Sequence, residues 1–386
     1  MVTEQEFDCD LVIIGAGLTG LSLACWLLEL SGQTGQTLPR VCLLEPRTEY
    51  RNDRTWCFWD SEPHPFRELI SHRWAHWQVS KGARTVSQSS NQTPYAMLPA
   101  GEVYQQALAR IESCPSFHLR QGTSVQEVQE SADSVLVSTT TGQWRAKAVI
   151  DTRPPEPTCL DQTLGFWQVF TGYEIHRPGH GYDTNTASLM DFQPCEGHVC
   201  FVYLLPLDRD NLLVEWTEFH PRGKLPDCRA RLDAWLDEQN FGAYTVKRSE
   251  SAALPMFPVI RSKYPGRLIK AGVGAGWMRA ATGYHFATCQ RNSAELARQI
   301  LAAAAIGDWH LQPLQGRKPW LEWMDRVFIR ALQQNPEAAP DWFLDLFAAT
   351  TAEQMARFMN DQPGWRDAIF VAAALPTGPF LRATVA

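Results

Sequence analysis

The sequence lacks an excess of positive charge and any long uninterrupted apolar run. Its formal net charge is −7, which argues against nucleic acid as the main partner because a phosphate backbone is bound by basic surfaces. The apolar stretch from Leu11 is broken by glycines, and the run at residues 301–306 is too short to cross a bilayer. Residues 1–10 are acidic where a secretory signal is basic. We therefore expect no transmembrane helix and a cytoplasmic location.

Closely spaced metal-binding cysteines are also missing. None of the ten cysteines forms a CxxC pair, and we interpret Cys195 and Cys200, which are five residues apart, as lacking nearby histidine partners. Such a pattern is typical of buried, reduced thiols. We accordingly predict no metal site.

Aromatic residues, by contrast, are abundant. The 386 residues include 15 Trp and 18 Phe, with 45% hydrophobic and 20% charged residues. This is the composition of a globular protein, and the length suggests two or three domains. So many large rings suit either a large apolar cavity or an aromatic-rich core.

A glycine-rich motif near the start of the chain, DLVIIGAGLTGLSLACWLLEL, joins a short apolar strand to an apolar-periodic helix. Gly15 allows the tight turn, Gly17 lets the backbone approach a pyrophosphate, and Gly20 permits close packing of helix on strand. The helix N-terminus supplies N–H groups for that phosphate. The next apolar strand, RVCLLEP, ends in Glu45, which is placed to accept hydrogen bonds from ribose hydroxyls. Together these features predict a dinucleotide site.

A second glycine-rich segment favours FAD over NAD as that dinucleotide. Residues 268–271 are predicted as a strand, GVGAGW (272–277) as a loop and residues 287–301 as a helix. Flavoproteins of this type close the site over the ribityl chain and second phosphate with such a segment. Common FAD hydroxylases carry Gly-Asp here, whereas Val273 follows the glycine in this chain. The segment therefore points to a flavoprotein other than an ordinary aromatic hydroxylase.

A carboxylate interrupts the apolar stretch NLLVEWTEFHP (211–221). Burial raises the pKa of a carboxyl group that has no counter-charge, and a carboxyl group that keeps its proton can serve as a general acid. Glu215 is therefore either such an acid or a carboxylate at the rim of the sheet. Alternation along a strand puts Glu218 on the opposite face, where we expect it to be solvated.

An ordered set of motifs resembles the bacterial flavin-dependent lycopene cyclases, which are relatives of the plant lycopene β- and ε-cyclases. The resemblance extends over nearly the whole chain, including the helical tail. The motifs are GAGLTG with Glu45, DRTWCFWD (53–60), AVIDTRP (148–154), LGFWQVFTGYEI (164–175), SLMDF (188–192), FVYLLPLDRDNLLVEWTEF (201–219), ESAALP (250–255) and GAGWMRAATGY (274–284).

The resemblance implies an enzyme of the isomerase or intramolecular lyase type. Such enzymes use reduced FAD, with NAD(P)H as the electron source, to cyclise the ends of a linear carotenoid without net redox change. A carboxylic acid protonates the terminal double bond, an internal alkene attacks the cation, and loss of a proton completes the ring. The site must therefore be dry, acidic and able to stabilise a carbocation.

The resemblance also implies roles for individual residues. Glu215 stands at the place of the essential acid, and Trp216 replaces a second acid that usually follows it. Glu250 either holds the geometry of the site or takes part in proton transfer. Arg54 is expected to meet a phosphate or a carboxylate, and Asp151 either lies beside FAD or caps its strand. The expected cofactor-binding residues are Gly15, Gly17, Gly20, Glu45, Arg54, Asp151, Gly274, Gly276, Thr282 and Gly283, and the expected walls of the substrate cavity are Trp56, Phe58, Trp59, Trp216 and Tyr284.

The predicted fold is α/β, with a doubly wound FAD-binding domain of the Rossmann type, an antiparallel sheet for the substrate and a helical C-terminal region. Residues 1–60, 100–153 and 266–305 are assigned to the FAD domain. Residues 61–99 and 160–262 are assigned to the substrate domain, and 306–386 to the helical region. An apolar face of that last region is expected to contact the inner face of the membrane peripherally and collect a hydrophobic polyene or terpenoid.

Three other functions fit the same residues. An FAD-dependent monooxygenase shares the fold, although the missing Gly-Asp speaks against it. A related terpenoid cyclase would act on a different chain. A non-catalytic isoprenoid carrier would have no need of an intact GAGLTG loop.

Overall fold

The computed structural model of the chain describes residues 8–220, 226–261 and 263–385. Within these ranges the chain forms three sheets and a set of helices. The strands are β1 (Cys9–Ile14), β2 (Val41–Leu44), β3 (Thr55–Trp59), β4 (His72–Trp74), β5 (His76–Lys81), β6 (Arg84–Ser89), β7 (Tyr95–Pro99), β8 (Phe117–Arg120), β9 (Val125–Glu130), β10 (Val135–Thr139), β11 (Gly142–Asp151), β12 (Phe166–His176), β13 (Thr186–Gln193), β14 (Val199–Pro206), β15 (Asn211–His220), β16 (Thr245–Met256) and β17 (Leu268–Lys270). The α-helices are α1 (Leu18–Thr34), α2 (Ala100–Glu112), α3 (Arg229–Glu238), α4 (Phe286–Ile306), α5 (Pro319–Gln334), α6 (Ala339–Ala349), α7 (Ala352–Met359), α8 (Trp365–Ala373) and α9 (Thr377–Val385).

The first sheet has the order β8-β2-β1-β11-β10-β9, and β17 also pairs with β11. Strands β8, β2, β1, β11 and β17 run parallel, whereas β9 and β10 are antiparallel additions. The four residues of β2 are all buried and apolar, as expected for a parallel strand covered on both faces. Helices α1, α2 and α4 pack against one face. The glycine-rich loop after β1 therefore lies at the carboxyl edge of this sheet, where α/β folds bind ligands.

The second sheet has the order β16-β12-β15-β14-β13-β5-β6 and is antiparallel except for the β5–β13 pair. Its two faces pack against different neighbours, which explains the alternation of side chains along β15. Leu213, Glu215 and Phe219 face a cavity. Val214 and Trp216 belong to the apolar cluster that packs α3 against the opposite face.

A small third sheet, β3-β7-β4, contributes side chains to the apolar clusters beside both large sheets. Strand β3 carries the motif DRTWCFWD, which the domain prediction placed within the first domain. It pairs antiparallel with β7 along its whole length, and β4 pairs with the other edge of β7. The aromatic side chains of β3 are thus supported by a sheet rather than by a loop.

The helical region contributes Phe343 and Phe347 of α6 and Met359 of α7 to the cavity wall. A buried ionic network joins this region to the segment between β17 and α4. Arg279, 1% exposed, donates to both carboxylate oxygens of Asp325, at 2.7–3.0 Å. Arg317 pairs with Asp361 at 3.3 Å. Among the described residues, no helix has the length and apolar character that a membrane crossing demands.

The cysteines depart from the expectation of uniformly reduced thiols. Cys195 and Cys200 form a disulfide across the turn between β13 and β14. The short turn brings the two residues together, which spacing alone did not reveal. His198 lies between them, so the interpretation that they lack a nearby histidine was wrong. The other eight cysteines are free.

Candidate active site

A cavity of about 590 Å³ runs from the glycine-rich loop to the second sheet. This volume is typical of sites that enclose a small molecule or cofactor. The first sheet forms one end, strands β12, β15 and β16 form a wall, and the helical region contributes Phe343, Phe347 and Met359. Of the residues predicted from the sequence, those that line the cavity are Gly15, Gly17, Glu45, Arg54, Trp56, Trp59, Glu215, Glu250, Thr282, Gly283 and Tyr284.

At the glycine-rich end, the backbone is shaped to approach a ligand. Gly15 has a φ of +94°, a conformation that favours glycine. A Cβ atom on Gly17 would meet nothing within 4 Å, so the space beside the start of α1 is open. A Cβ atom on Gly20 would lie 2.0 Å from the carbonyl oxygen of Gly15. Gly20 is therefore required for packing, and it does not line the cavity.

Glu45 is held as an anion beside this loop. It accepts hydrogen bonds from the backbone N–H of Ala16 at 2.7 Å and from Arg47 Nε at 2.9 Å. Burial by itself would raise the pKa of Glu45, but these hydrogen bonds and the charge of Arg47 hold that pKa below its ordinary value. An ionised carboxylate at this strand end suits the acceptor role that the sequence predicted for it.

Polar atoms without partners mark the middle of the cavity. Among the described residues, Gln168 Oε1, His285 Nε2 and Trp59 Nε1 are buried and have no hydrogen-bond partner. Burial lowers the pKa of His285 to about 4, so its ring is neutral. Unpaired buried polar atoms are rare in native proteins and call for a ligand or water. These three donors and acceptors, next to Gly283 with its φ of +74°, fit the polar edge of a flavin ring.

Glu215 lies in the part of the cavity formed by the second sheet. Its side chain reaches across β12 at Gly172, where a Cβ atom would come within 2.5 Å of Glu215 Cγ. Glu215 is half-buried by its accessible surface, since it lines the cavity. Burial raises the pKa of Glu215 well above its ordinary value, and the charge of Glu250 and a hydrogen bond with it raise it further, against a smaller opposing effect of Arg248. The shift favours the protonated form of the Glu215 carboxyl group.

Glu250, in contrast, is surrounded by donors. Both Glu250 and Glu215 lie opposite Gly172, on the two neighbours of β12. Arg248 Nη1 donates to Glu250 Oε2 at 2.5 Å, and Thr55 Oγ1 donates to the same oxygen at 3.2 Å. Arg248 Nη2 in turn donates to Thr55 Oγ1 at 2.9 Å. The two carboxyl groups thus form an unequal pair, because the Arg248 guanidinium lies beside Glu250 whereas burial disfavours a charge on Glu215.

Three tyrosines surround the same region with a hydrogen-bonded set of hydroxyl groups. Tyr95 Oη lies 3.0 Å from Tyr203 Oη and 3.2 Å from Tyr284 Oη. Tyr203 is directly opposite Glu215 on the neighbouring strand. Burial raises the pKa of each of these tyrosines, so all three remain neutral. Trp59 adds its ring face, with its centroid 5.2 Å from that of Tyr284.

Two side chains that the sequence predicted as walls of the cavity lie outside it. Trp216 lies on the far face of the second sheet, because neighbouring residues of a strand point to opposite faces. Its Nε1 donates to Glu218 Oε1 at 2.8 Å, and Glu218 is 3% exposed rather than solvated. Phe58 points away from the cavity and stacks on Phe286, with ring centroids 4.0 Å apart. The predictions that Trp216 and Phe58 line the cavity were therefore wrong. Glu218 lies on the face opposite Glu215 as expected, but the expectation that it is solvated was wrong.

The remaining predicted cofactor residues lie at the rim of the cavity or outside it. Arg54 lies at the rim, with 58% of its side chain exposed and an ion pair to Asp53. Asp151 is buried and pairs with Arg153 and Lys270, both at 2.7 Å, and it does not line the cavity. Gly274 and Gly276 do not line it either. A Cβ atom on Gly274 would lie 2.5 Å from the carbonyl oxygen of Arg153, and Gly276 has a φ of +71°.

Several site residues were not predicted from the sequence, although the sequence contains a signal for two of them. Gly172 interrupts an apolar strand, which signals close approach of another group. Arg248 precedes Glu250 by two residues and so shares its face. Gln168, Tyr95 and Tyr203 left no such signal, because only folding brings their strands together.

Comparison with solved structures defines the class of protein. A flavoprotein/dehydrogenase from Cytophaga hutchinsonii has a TM-score of 0.60 at 14% identity, covering 95% of this chain and 98% of that one. A geranylgeranyl bacteriochlorophyll reductase-like protein from Thermoplasma acidophilum has a TM-score of 0.58 at 12% identity, covering 97% and 95%. Aklavinone-11 hydroxylase, in a ternary complex with FAD and aklavinone, has a TM-score of 0.58 at 14% identity, covering 94% and 72%. The fold is that of the FAD-binding flavoproteins, as the sequence predicted.

Comparison with family models narrows this class. The model described as "Lycopene cyclase protein" matches residues 10–385, nearly the whole chain. The chain belongs to the lycopene cyclase family. No curated protein gives a significant match.

Proposed function

We propose that this protein is a flavin-dependent cyclase that converts the linear ends of a carotenoid such as lycopene into rings without net redox change. The observation that supports this most strongly is the unequal carboxyl pair. Glu215, whose pKa burial raises well above its ordinary value, faces an aromatic cavity, and the Arg248 guanidinium pairs with its neighbour Glu250. An acid that stays protonated at neutral pH is what a reaction begun by protonating an alkene requires.

The reaction begins when the Glu215 carboxyl group gives its proton to the terminal double bond of the substrate. The resulting tertiary cation is attacked by the nearby internal alkene, which forms one carbon–carbon bond and closes the ring. The ring cation then loses a proton, which returns to the carboxyl pair. One proton enters and one leaves, so substrate and product are isomers and Glu215 is restored.

The side chains near Glu215 assist through charge and shape. Glu250 lies beside the acid in its ion pair with Arg248, and the ring faces of Trp59 and Tyr284 are suited to a passing cation. Bound FAD, held by the Gly15–Gly17 loop and Glu45 with Gln168 and His285 at the ring, would supply further negative charge when reduced by NAD(P)H. The apolar walls exclude water that would otherwise capture the cation.

A second cavity of about 250 Å³ extends the site into the helical region. It shares Ala281, Thr282, Phe343 and Met359 with the main cavity, so the two lie side by side. Its other lining is mostly apolar, with Met324 among its walls. We assign it to the part of a long polyene that lies beyond the reacting end.

Exposed apolar side chains on the helical region support a peripheral contact with a lipid surface. Trp323 and Leu381 line the second cavity and are 56% and 60% exposed. Trp365, Ile369 and Phe370 of α8 are likewise exposed. A polyene dissolved in a bilayer would reach the second cavity through this surface. Sedimentation with phospholipid vesicles tests this, since the wild type should bind and a Trp323→Ser/Leu381→Ser variant should bind more weakly.

The deciding experiment is Glu215→Gln, which keeps shape and hydrogen bonding but removes the acidic proton. Production of cyclic carotenoid from lycopene should fall by about 10²–10⁴. Flavin content is measured in the same sample, and Glu295→Gln, an exposed glutamate in a surface ion pair, is the matched control. Near-normal cyclisation by flavin-loaded Glu215→Gln would make Glu215 a structural carboxylate and Glu250 the next acid to test.

The redox balance separates this proposal from the other functions. Anaerobic enzyme reduced once should convert many equivalents of substrate, because the products are isomers. Consumption of one NAD(P)H per product would instead indicate a monooxygenase or a reductase. Binding of polyene without conversion, by flavin-loaded protein, would indicate a carrier.

A further inference from the structure

Two histidines and a glutamate converge on the far face of the second sheet, away from the cavity. We call His198, Glu218 and His220 the His–Glu cluster. The Nε2 atoms of His198 and His220 each lie 3.2 Å from the same oxygen, Glu218 Oε2. The two imidazole rings are close, with centroids 4.7 Å apart. All three candidate ligand atoms lie within 4.8 Å of one another.

These separations match the edges of a small coordination polyhedron. Zinc binds histidine nitrogen and carboxylate oxygen at about 2.0–2.2 Å in a tetrahedron, and two such ligands are then separated by roughly 3.3–3.5 Å. The observed 3.2 Å from each nitrogen to Glu218 Oε2 is within reach of that value by a small adjustment of rotamers. Two imidazoles and one carboxylate are also a ligand set that zinc uses in other proteins.

The carboxylate is oriented before any ion arrives. Trp216 Nε1 donates to Glu218 Oε1 at 2.8 Å, which leaves Oε2 directed at the two imidazoles. Such hydrogen bonds to ligating carboxylates are a regular feature of metal sites. Glu218 is 3% exposed, whereas the histidine side chains are 20% and 23% exposed. An ion can therefore enter from the histidine side and meet a fixed oxygen.

We propose that the His–Glu cluster is a binding site for a zinc-class divalent ion, with His198 Nε2, Glu218 Oε2 and His220 Nε2 as ligands and water in the fourth position. The disulfide of Cys195 and Cys200 borders the site, and the sulfur atoms group with His198. While the disulfide is intact, neither sulfur is a thiolate, so the three-ligand set is the one that applies.

The ion would join two neighbouring strands near one end of the sheet. His198 immediately precedes β14, whereas Glu218 and His220 belong to β15, the strand that carries Glu215. The cross-strand pairs Val199–Phe219 and Cys200–Glu218 continue the register so that His198 comes opposite His220. The site is structural in this arrangement, and it does not depend on the proposed cyclisation.

Titration of the full-length, tag-free protein with Co²⁺ tests the proposal, under non-reducing conditions. We expect one Co²⁺ per chain, visible absorption bands of a four- or five-coordinate ion, and loss of those bands when Zn²⁺ is added. Zn²⁺ should also raise the Tm of the wild type. Absence of stoichiometric Co²⁺ and Zn²⁺ binding to the wild type would overturn the proposal without any variant, and would leave the cluster as a His–Glu ion pair.

Variants locate the ligands. His198→Gln and His220→Gln should each weaken Co²⁺ binding at least tenfold and abolish the Zn²⁺-induced rise in Tm. His310→Gln, which removes an exposed histidine paired with Asp308, is the matched control and should bind as the wild type does. Cys195→Ser/Cys200→Ser should retain binding. Unchanged binding in the two cluster variants, or loss of binding only in the cysteine variant, would refute the assignment.

Discussion

Replacing Gly172 by alanine tests whether the position of the Glu215 carboxyl group controls the proposed chemistry. Gly172 lies on β12 between Glu215 and Glu250, and it contacts no cavity ligand by a side chain of its own. A Cβ atom there would lie 2.5 Å from Glu215 Cγ and 3.1 Å from its Oε1. The substitution therefore adds one methyl group where the acid now passes.

The structure sets the size of the effect. Carbon atoms in contact lie about 3.5 Å apart or more, so Glu215 has to withdraw by roughly 1 Å. A misplacement of that size can reduce a rate by about 10²-fold. The added methyl group also overpacks the site, which lowers the free energy of unfolding by about 1–3 kcal/mol. Alanine partly offsets this loss, because it restricts the unfolded chain more than glycine does and so stabilises the fold by about 0.5–1 kcal/mol. We expect kcat to fall by about 10² with little loss of folding.

The assay is conversion of lycopene by anaerobically reduced enzyme, with flavin content and Tm recorded for each preparation. Gly32→Ala is the matched control, because Gly32 lies on the exposed side of α1 and a Cβ atom there would meet nothing within 4 Å. Gly172→Ala at full flavin content with kcat within about twofold of the wild type would refute the reasoning, because Glu215 would then tolerate the displacement.

Three further predictions follow from the same structure. Gly17→Val should place a side chain in the open space beside the start of α1 and empty the site of flavin, and a variant that purifies with full flavin would disprove the role of this loop. Because the pKa of Glu215 is raised in the folded state, the folded protein keeps a proton that the unfolded chain loses above about pH 4.3. The free energy of unfolding therefore falls as pH rises between the unfolded and folded pKa values, by up to about 1.4 kcal/mol per pH unit. Urea unfolding of Glu215→Gln from pH 5 to 8 should therefore show a flatter decline than the wild type, and parallel curves would contradict the raised pKa. Arg279→Met leaves Asp325 buried with its principal partner removed, which should lower the free energy of unfolding by about 3 kcal/mol. A loss below 1 kcal/mol would show that Arg317 compensates.

Features that depend on neighbouring residues could be predicted from the sequence. The order strand, GxGxxG, helix and strand-end acid predicted a loop that lines the cavity, because those residues are neighbours in the chain and their chemistry is local. The apolar run around Glu215 likewise predicted a buried strand with an acid on it. The same period of two should have separated Trp216 from Glu215, since adjacent side chains in a strand cannot share a face.

Contacts between residues that are distant in the chain could not be predicted in this way, because they depend on the packing of whole sheets. Glu250 reaches Glu215 because β12 separates their strands and Gly172 leaves the gap between them. The hydroxyl groups of Tyr95 and Tyr203 come from strands more than 100 residues apart in the chain. Burial then raises the pKa of Glu215, and burial depends on the packing of the whole cavity rather than on its neighbours in the sequence. The candidate acid was visible in the sequence, but its protonation and its partner were products of long-range packing.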